Sequence, residues 1–408
     1  MKKLLLNGAI ISASFGVVAA QGLYDVAPND EAKESSPISW NAGISYNYDD
    51  NVTPTVAAGL PGFEEDASSI STYVGASLVN ITSQSTWDVV ARVGANTYLD
   101  SPSAAGADSA NYQARVGVNW AHRVSERLRF TSSNSLAYEL EPDYSYGFAS
   151  DRQFDEYLYY SSNNAVGYRW TERFATYSGV TLSGLVYGSS LSANDRTAYT
   201  IYHQFRYQAS EKTNWTCDYS YGSSFASGNA ADANNHIITL GIEHRFSPTS
   251  VLALKTGTQI HNVDGGIDAT TPYFLAAIRT QINEQLNVSI FTRYSVEDYA
   301  TSFPTHTFDT NQALRSGVTA SYAVSSKLNL NAGANLVVNN MQDGRLVPGP
   351  GAFPDADSDL INLYLGCSLK ISDRVYATAS YNWTDSNSDI VGRTYNRNNF
   401  SLGLGAQF

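Results

Sequence analysis

The chain has 408 residues, of which 15% are charged, with 28 tyrosines, 30 glycines and a formal net charge of -13. A mean hydropathy of -0.26 excludes a bundle of membrane helices, and the acidic balance excludes nucleic acid as a natural partner. Both values fit an all-β chain whose strands turn one face to lipid and the other to water, because such alternation leaves the average unremarkable.

At the start, Lys2 and Lys3 precede an apolar run from Leu4 to Val18 that ends on the small residues Ala19 and Ala20. This is the layout of a secretory signal peptide over 1–20, with cleavage expected after Ala20. Gln21 rather than Cys follows, so no lipid anchor is expected. Residues 21–38 are polar and without alternation, which reads as a short periplasmic tail. The remainder, 39–408, reads as one barrel.

The strongest signal along that remainder is a recurring short polar turn between strand-like runs. The turns are Thr82 to Ser85, Ser125 to Arg127, Thr171 to Arg173, Ser210 to Lys212, Ser247 to Thr249, Asn283 to Gln285, Ser325 to Lys327 and Ser372 to Arg374. Between them lie longer stretches rich in Asp, Asn, Gly, Ser and Pro, such as Asp49 to Ser69, Glu141 to Asp151 and Gln342 to Asp357. Short connections on one side and long ones on the other predict a transmembrane, antiparallel, up-and-down barrel of about 18 strands, with 16 as the smaller even count and both termini periplasmic. The loops Asp49 to Ser69 and Gln342 to Asp357 are the candidates to narrow the lumen.

Alternation inside the strands agrees. Leu328, Leu330, Ala332, Ala334, Leu336 and Val338 share one phase, and Asn329, Asn331, Gly333, Asn335 and Asn339 the other. Aromatic residues such as Trp40, Tyr46, Tyr48, Trp120, Tyr168, Trp170, Tyr381 and Trp383 gather toward strand ends, where two interfacial girdles are expected. The last strand alternates Phe400, Leu402, Leu404, Ala406 and Phe408 with small or polar residues. It resembles the C-terminal signature of outer-membrane barrels, and that resemblance implies reading of Phe408 by the barrel-insertion machinery.

A basic residue facing hydrocarbon at mid-depth costs roughly 2 to 4 kcal/mol, so charged members of the pattern belong on the inner phase. Arg92, Arg115, Arg129, Arg206, Arg245, Arg279, Arg293, Arg315 and Lys370 all fall there and are the pore-lining candidates. Acidic residues such as Asp49, Asp50, Glu64, Asp143 and Asp355 concentrate in or beside the long connections, while Asp88, Asp218 and Glu243 fall on the inner phase. A mild anion preference follows if these cations are free, and none follows if they pair with carboxylates.

The first strand and its exit, Gly43 to Val52 with Tyr48, Asp49, Asp50 and Asn51 at its heart, resemble the opening of the beta-barrel porin 2 family. The resemblance implies an outer-membrane barrel, with some relatives associated with exopolysaccharide; it carries over no catalytic residue and no ligand. Phosphate loops, metal-ligand spacings and nucleophile elbows are not found, so no enzyme activity, cofactor or metal is expected. Cys217 and Cys367 read as small wall residues, as do His203 and His244. The expected role is a porin-like channel for passive diffusion of small hydrophilic solutes across the bacterial outer membrane, with a homo-trimer expected by porin analogy. The alternatives are a structural or adhesive barrel with a closed lumen, and a barrel for exopolysaccharide export. The last would need a run of inward aromatics, for which Tyr202, Phe291, Tyr364 and Tyr376 are the candidates.

Overall fold

The computed structural model describes residues 35–52, 65–100, 102, 109–140, 156–188, 195–227, 231–298, 303, 305–347, 349 and 351–408. The expected leader, most of the expected tail, the greater part of the connection 49–69 and all of 141–151 lie outside the described residues. The first six strands are β1 (Ser36–Asp49), β2 (Ala67–Ile81), β3 (Ser85–Tyr98), β4 (Ala110–Arg123), β5 (Leu128–Glu139) and β6 (Tyr157–Arg169). Then come β7 (Phe174–Tyr187), β8 (Arg196–Ser210), β9 (Thr213–Ala226), β10 (Ala233–Ser247), β11 (Ser250–Val263) and β12 (Ala269–Gln281). The rest are β13 (Leu286–Val296), β14 (His306–Ala323), β15 (Leu328–Leu346), the two-residue β16 (Ala352–Phe353), β17 (Ala356–Lys370), β18 (Val375–Ser388) and β19 (Tyr395–Gln407). Leaving aside β16, these are 18 long strands in one antiparallel up-and-down sheet, closed by pairing of β1 with β19.

The short turns carry their own chemistry. In each, a Ser, Thr or Asn side-chain oxygen accepts backbone amides just ahead of it, an arrangement that fixes a tight turn without help from the rest of the fold. Thr82 Oγ1 takes the amides of Gln84 and Ser85 at 3.3 and 2.9 Å, and Asn283 Oδ1 those of Gln285 and Leu286 at 2.8 and 2.9 Å. Ser125, Thr171, Ser325 and Ser372 repeat the pattern, and Ser210 and Ser247 use a single amide each. All eight predicted short turns therefore sit where the alternation breaks.

Closure fixes which side chains face in. Residues directly opposite across a ladder share a face, so one chain of partners runs round the wall: Gly405, Gly43, Tyr73, Gly94 and Gln113 over five strands, and Arg206, Thr216, Gly241, Lys255, Leu275, Arg293, Arg315 and Val337 over eight. Among the described strand residues, every exposed large apolar side chain, from Ile44 and Val74 to Leu365 and Leu404, lies on the other phase. A continuous exposed apolar belt on a closed sheet is a lipid-facing surface. Trp40, Trp87, Trp120, Trp170 and Trp215 stand at the belt's short-turn edge, where Trp87 stacks on Trp120 at 5.4 Å and Tyr168 meets Trp170 edge-on at 4.7 Å.

Two boundaries differ from expectation. β1 opens at Ser36, so the last residues assigned to the tail are already strand. The segment Gln342 to Asp357 is not a simple loop. β15 continues to Leu346, Gly344 and Arg345 pair with Phe353 and Ala352, and β17 begins at Ala356. Gly349 and Gly351, which read as loop chemistry, mark only the tip of a long hairpin, where they take positive φ of 135° and 157°.

Candidate functional site

The inner wall is the candidate site, and register places all nine predicted basic residues on it. Arg123, Arg169, Arg196, Lys255, Arg345 and Arg397 share that face, so it holds every Arg and Lys of the described long strands. Several do not stand free. Arg115 pairs with Glu139 and Arg206 with Glu243. Glu297 lies between Arg293 at 2.5 Å and Arg315, whose Nε and Nη2 donate to both its oxygens at 2.7 to 2.9 Å. Lys370 reaches Asp373 of the following turn at 2.8 Å, and the hydrogen bond it donates holds that carboxyl below the usual carboxylate range.

These pairs join into networks. Asp218 accepts from Gln204, from Lys255 Nζ at 3.2 Å and from Thr239 Oγ1 at 3.2 Å, and Arg206 donates to Gln204 Oε1 at 3.1 Å. Glu243 is 2% exposed and Arg315 4%, so these charges are buried inside the wall rather than presented to solvent. A buried charge is tolerated because partner charges and hydrogen bonds replace its water. Arg92 behaves differently. It is exposed on the inner face and lies over the Tyr73 ring, 3.7 Å from its centroid, opposite Arg115 in register. Gln113 and Asn119 beside it are also inward and exposed, so water-accessible space exists along β3 and β4.

The predicted Tyr48 to Asn51 stretch falls at the seam. Asp49 binds the Arg397 guanidinium through both its oxygens, and Asp50 accepts the amide of Asn398 at 2.6 Å and its side chain at 2.7 Å. Asn51 donates to the Asn396 carbonyl at 3.0 Å. At the other end of the seam Trp40 and Phe408 exchange backbone hydrogen bonds of 3.0 and 2.8 Å. Between these, Gly43 and Gly405 face each other, and Tyr73 and Tyr376 reach over them from either side to meet hydroxyl to hydroxyl at 2.6 Å. A Cβ on either glycine would overlap a tyrosine ring, so the glycines make room for the clasp.

That packing also places the four aromatic candidates. Tyr202 lies over Gly179, Phe291 over Gly317, Tyr364 over Gly333 and Tyr376 over Gly405, each directly across a ladder. All four face in, and each fills the gap left by a neighbour without a side chain.

Comparison with solved structures finds likeness of layout at low identity. The Acinetobacter baumannii OccAB4 structure is 12% identical with a TM-score of 0.46, over 92% of this chain and 99% of that one. The Pseudomonas aeruginosa OpdK structure with vanillate is 11% identical with a TM-score of 0.46, over 91% and 98%, and the OccK2 (OpdF) complex with glucuronate from the same organism is 8% identical with a TM-score of 0.46, over 91% and 98%. No family model matches the chain, and no curated protein sequence matches it. No residue role is carried over from these structures.

Two features of the mouth were not read from sequence. Phe303, ahead of β14, and Ile390, between β18 and β19, are buried with Phe308, Met341 and Ala356, of which Met341 and Ala356 point inward. Tyr157, Tyr159, Leu185 and Ala137 form a second apolar cluster, facing inward, over β5 to β7. Phe303 and Phe353 both stack on His306, at 4.6 and 3.8 Å, and meet Phe308 edge-on, on the outward phase of β14, so these two segments cover the outer side of the long β14–β15 hairpin, and Ile390 of the β18–β19 connection joins the same cluster. Cys217 and Cys367 are unbonded and face outward. His203 and His244 also face outward, against Ser178 Oγ at 2.6 Å and Thr213 Oγ1 at 2.9 Å, with Phe205 and Phe246 at the rings. The same arrangement recurs at Ser85 and His122, 2.7 Å apart, which marks a repeated feature of the wall rather than one nucleophile with its base.

Proposed function

We propose that this chain is a passive outer-membrane channel for small hydrophilic solutes, with its short turns and both termini in the periplasm. The observation that carries it is a closed 18-strand sheet with an apolar outer belt and, inside, polar side chains such as Arg92, Gln113 and Asn119 that remain open to water. Barrels of this size enclose an aqueous path unless side chains or loops fill it. The family resemblance at Tyr48 to Asn51 and the reading of Phe408 by insertion machinery belong to the same proposal.

Selectivity rests on the cations left unneutralised. Much of the inner charge is tied up in ion pairs, namely Arg115–Glu139, Arg206–Glu243, Lys255–Asp218, the two bridges to Glu297, Arg345–Asp309, Lys370–Asp373 and Arg397–Asp49, which project little net field. Arg92 carries the mild anion preference, since its neighbours are a tyrosine ring and a second guanidinium. Purified full-length protein in planar bilayers tests both points. Stepwise conductance is expected, with a reversal potential in a salt gradient that favours anions and moves toward cations in Arg92→Glu. Silence from well-inserted protein overturns the channel and favours a closed structural barrel, a reading the inward cluster of Ala137, Tyr157, Tyr159 and Leu185 would then explain. Cation selectivity of the unaltered protein overturns only the role of Arg92.

A further inference from the structure

Among the described residues the outer belt is interrupted by polar pairs such as Ser178 with His203 and Thr292 with Ser316, and by one closed ring of four side chains. On β5 and β6 the outward phase carries Ser132 and Asn134 opposite Asn164 and Ser162, where every neighbouring strand presents apolar groups such as Val118, Val180 and Leu182. The four side chains close a ring. Ser132 Oγ donates to Asn164 Oδ1 at 2.8 Å, Asn164 Nδ2 to Ser162 Oγ at 2.9 Å, Ser162 Oγ to Asn134 Oδ1 at 2.7 Å and Asn134 Nδ2 to Ser132 Oγ at 2.9 Å. Counted from the short-turn ends at Leu128 and Arg169, the ring sits four to seven residues into the strands. A bilayer takes about 9 to 11 residues of a tilted strand, so the ring lies near mid-depth.

The other outward amide cluster has an ordinary place. Gln312, Gln342 and Asn340 bond to one another and to Asp357, but they lie on the long ends of β14 and β15, 11 to 14 residues from the turn joining those strands. That is beyond the span a bilayer needs.

We infer that the β5–β6 ring is the centre of a two-fold contact between two copies of this chain in the membrane. Each amide in the ring uses one N–H and one carbonyl lone pair, and so keeps one of each for a partner. Two spare donors and two spare acceptors are equal in number, as an isologous contact requires, because the same patch must serve on both sides. The ring bears no ionisable group, so charge selects no other partner. Ser and Asn are short beside Phe130, Leu136 and Leu182, which are exposed around them, and short polar side chains let two walls approach while the aliphatic rim excludes lipid. Left facing hydrocarbon, the spare groups would go unsatisfied. A two-fold pair differs from the three-fold assembly that porin analogy leads one to expect.

Full-length protein in mild detergent, and the same protein in membranes, tests this. Native mass spectrometry is expected to show a dimer that is lost in Asn134→Leu with Asn164→Leu, while heat-modifiable migration shows the variant barrel still folded and its single-barrel conductance is unchanged. In a Cys217→Ala, Cys367→Ala background, oxidation of Val180→Cys is expected to give a covalent dimer and Leu363→Cys, on the far wall, none. A monomeric or trimeric native protein, a dimer indifferent to the leucine pair, equal cross-linking at both cysteines, or cross-linking to a different protein overturns the proposal.

Discussion

From β8 to β14 the inner face carries Arg206, Glu243, Asp218, Lys255, Arg293, Glu297 and Arg315, nearly all committed to one another. From β15 across the seam to β2, between the Arg397–Asp49 pair near one end and Lys370 at the other, the same face carries mostly Ser, Thr, Asn, Gly and Tyr, with Asn335, Asn362 and Asn382 linked in sequence and Tyr73 clasping Tyr376. At mid-wall one side is held by complementary charge and the other by shape and neutral hydrogen bonds, with the Arg397–Asp49 pair confined to the long-loop end of the seam. A lumen wall can thus be made polar in two ways that fail differently. Removing one group from the charged wall strands another, whereas the seam fails when its empty spaces are filled.

The sharpest way to break this contrast is Glu297→Ala, which takes the shared carboxylate from buried Arg315 and half-buried Arg293. A loss of about 3 to 5 kcal/mol is expected from urea unfolding in detergent, and replacing Arg293, Glu297 and Arg315 together by Met, Leu and Met should recover most of it. On the seam, Gly405→Val puts a branched side chain into the Tyr376 ring and is expected to cost about 1 to 3 kcal/mol, read as a lower temperature for loss of heat-modifiable migration. Asp218-wall variants of similar bulk should show no such steric penalty, and an equal response from both walls would erase the distinction. The smallest effect is expected at a turn. Ser325→Ala removes a hydroxyl that accepts the amides of Lys327 and Leu328 on the exposed rim, and should cost about 0.5 to 1.5 kcal/mol on the same unfolding curve.

Much of the architecture was legible because both its signals are local. Alternation needs only one strand, and each short turn is written in a Ser, Thr or Asn followed by its own amides. The inward phase of the nine basic residues was legible for the same reason. Their partners were not. Arg206 meets Glu243 across an intervening strand, and Glu297 lies one residue past the end of β13, in what reads as connection. The Tyr73–Tyr376 clasp joins residues 303 positions apart, which no local pattern encodes. The β5–β6 ring did leave a trace, since Thr131 to Ser135 and Ser161 to Asn164 are polar on both phases, and a break in alternation is where a lipid-facing surface stops being one.

The seam also fixes an order of events. Every long ladder except β1 with β19 joins strands that are neighbours along the chain, so the sheet grows by adding hairpins whose turns need nothing distant. Until the last strand arrives, the growing sheet keeps two raw edges able to pair with anything extended. The ion pair of Arg397 with Asp49 and the backbone exchange of Phe408 with Trp40 form only when those edges find each other, which makes them marks of completed assembly rather than steps toward it.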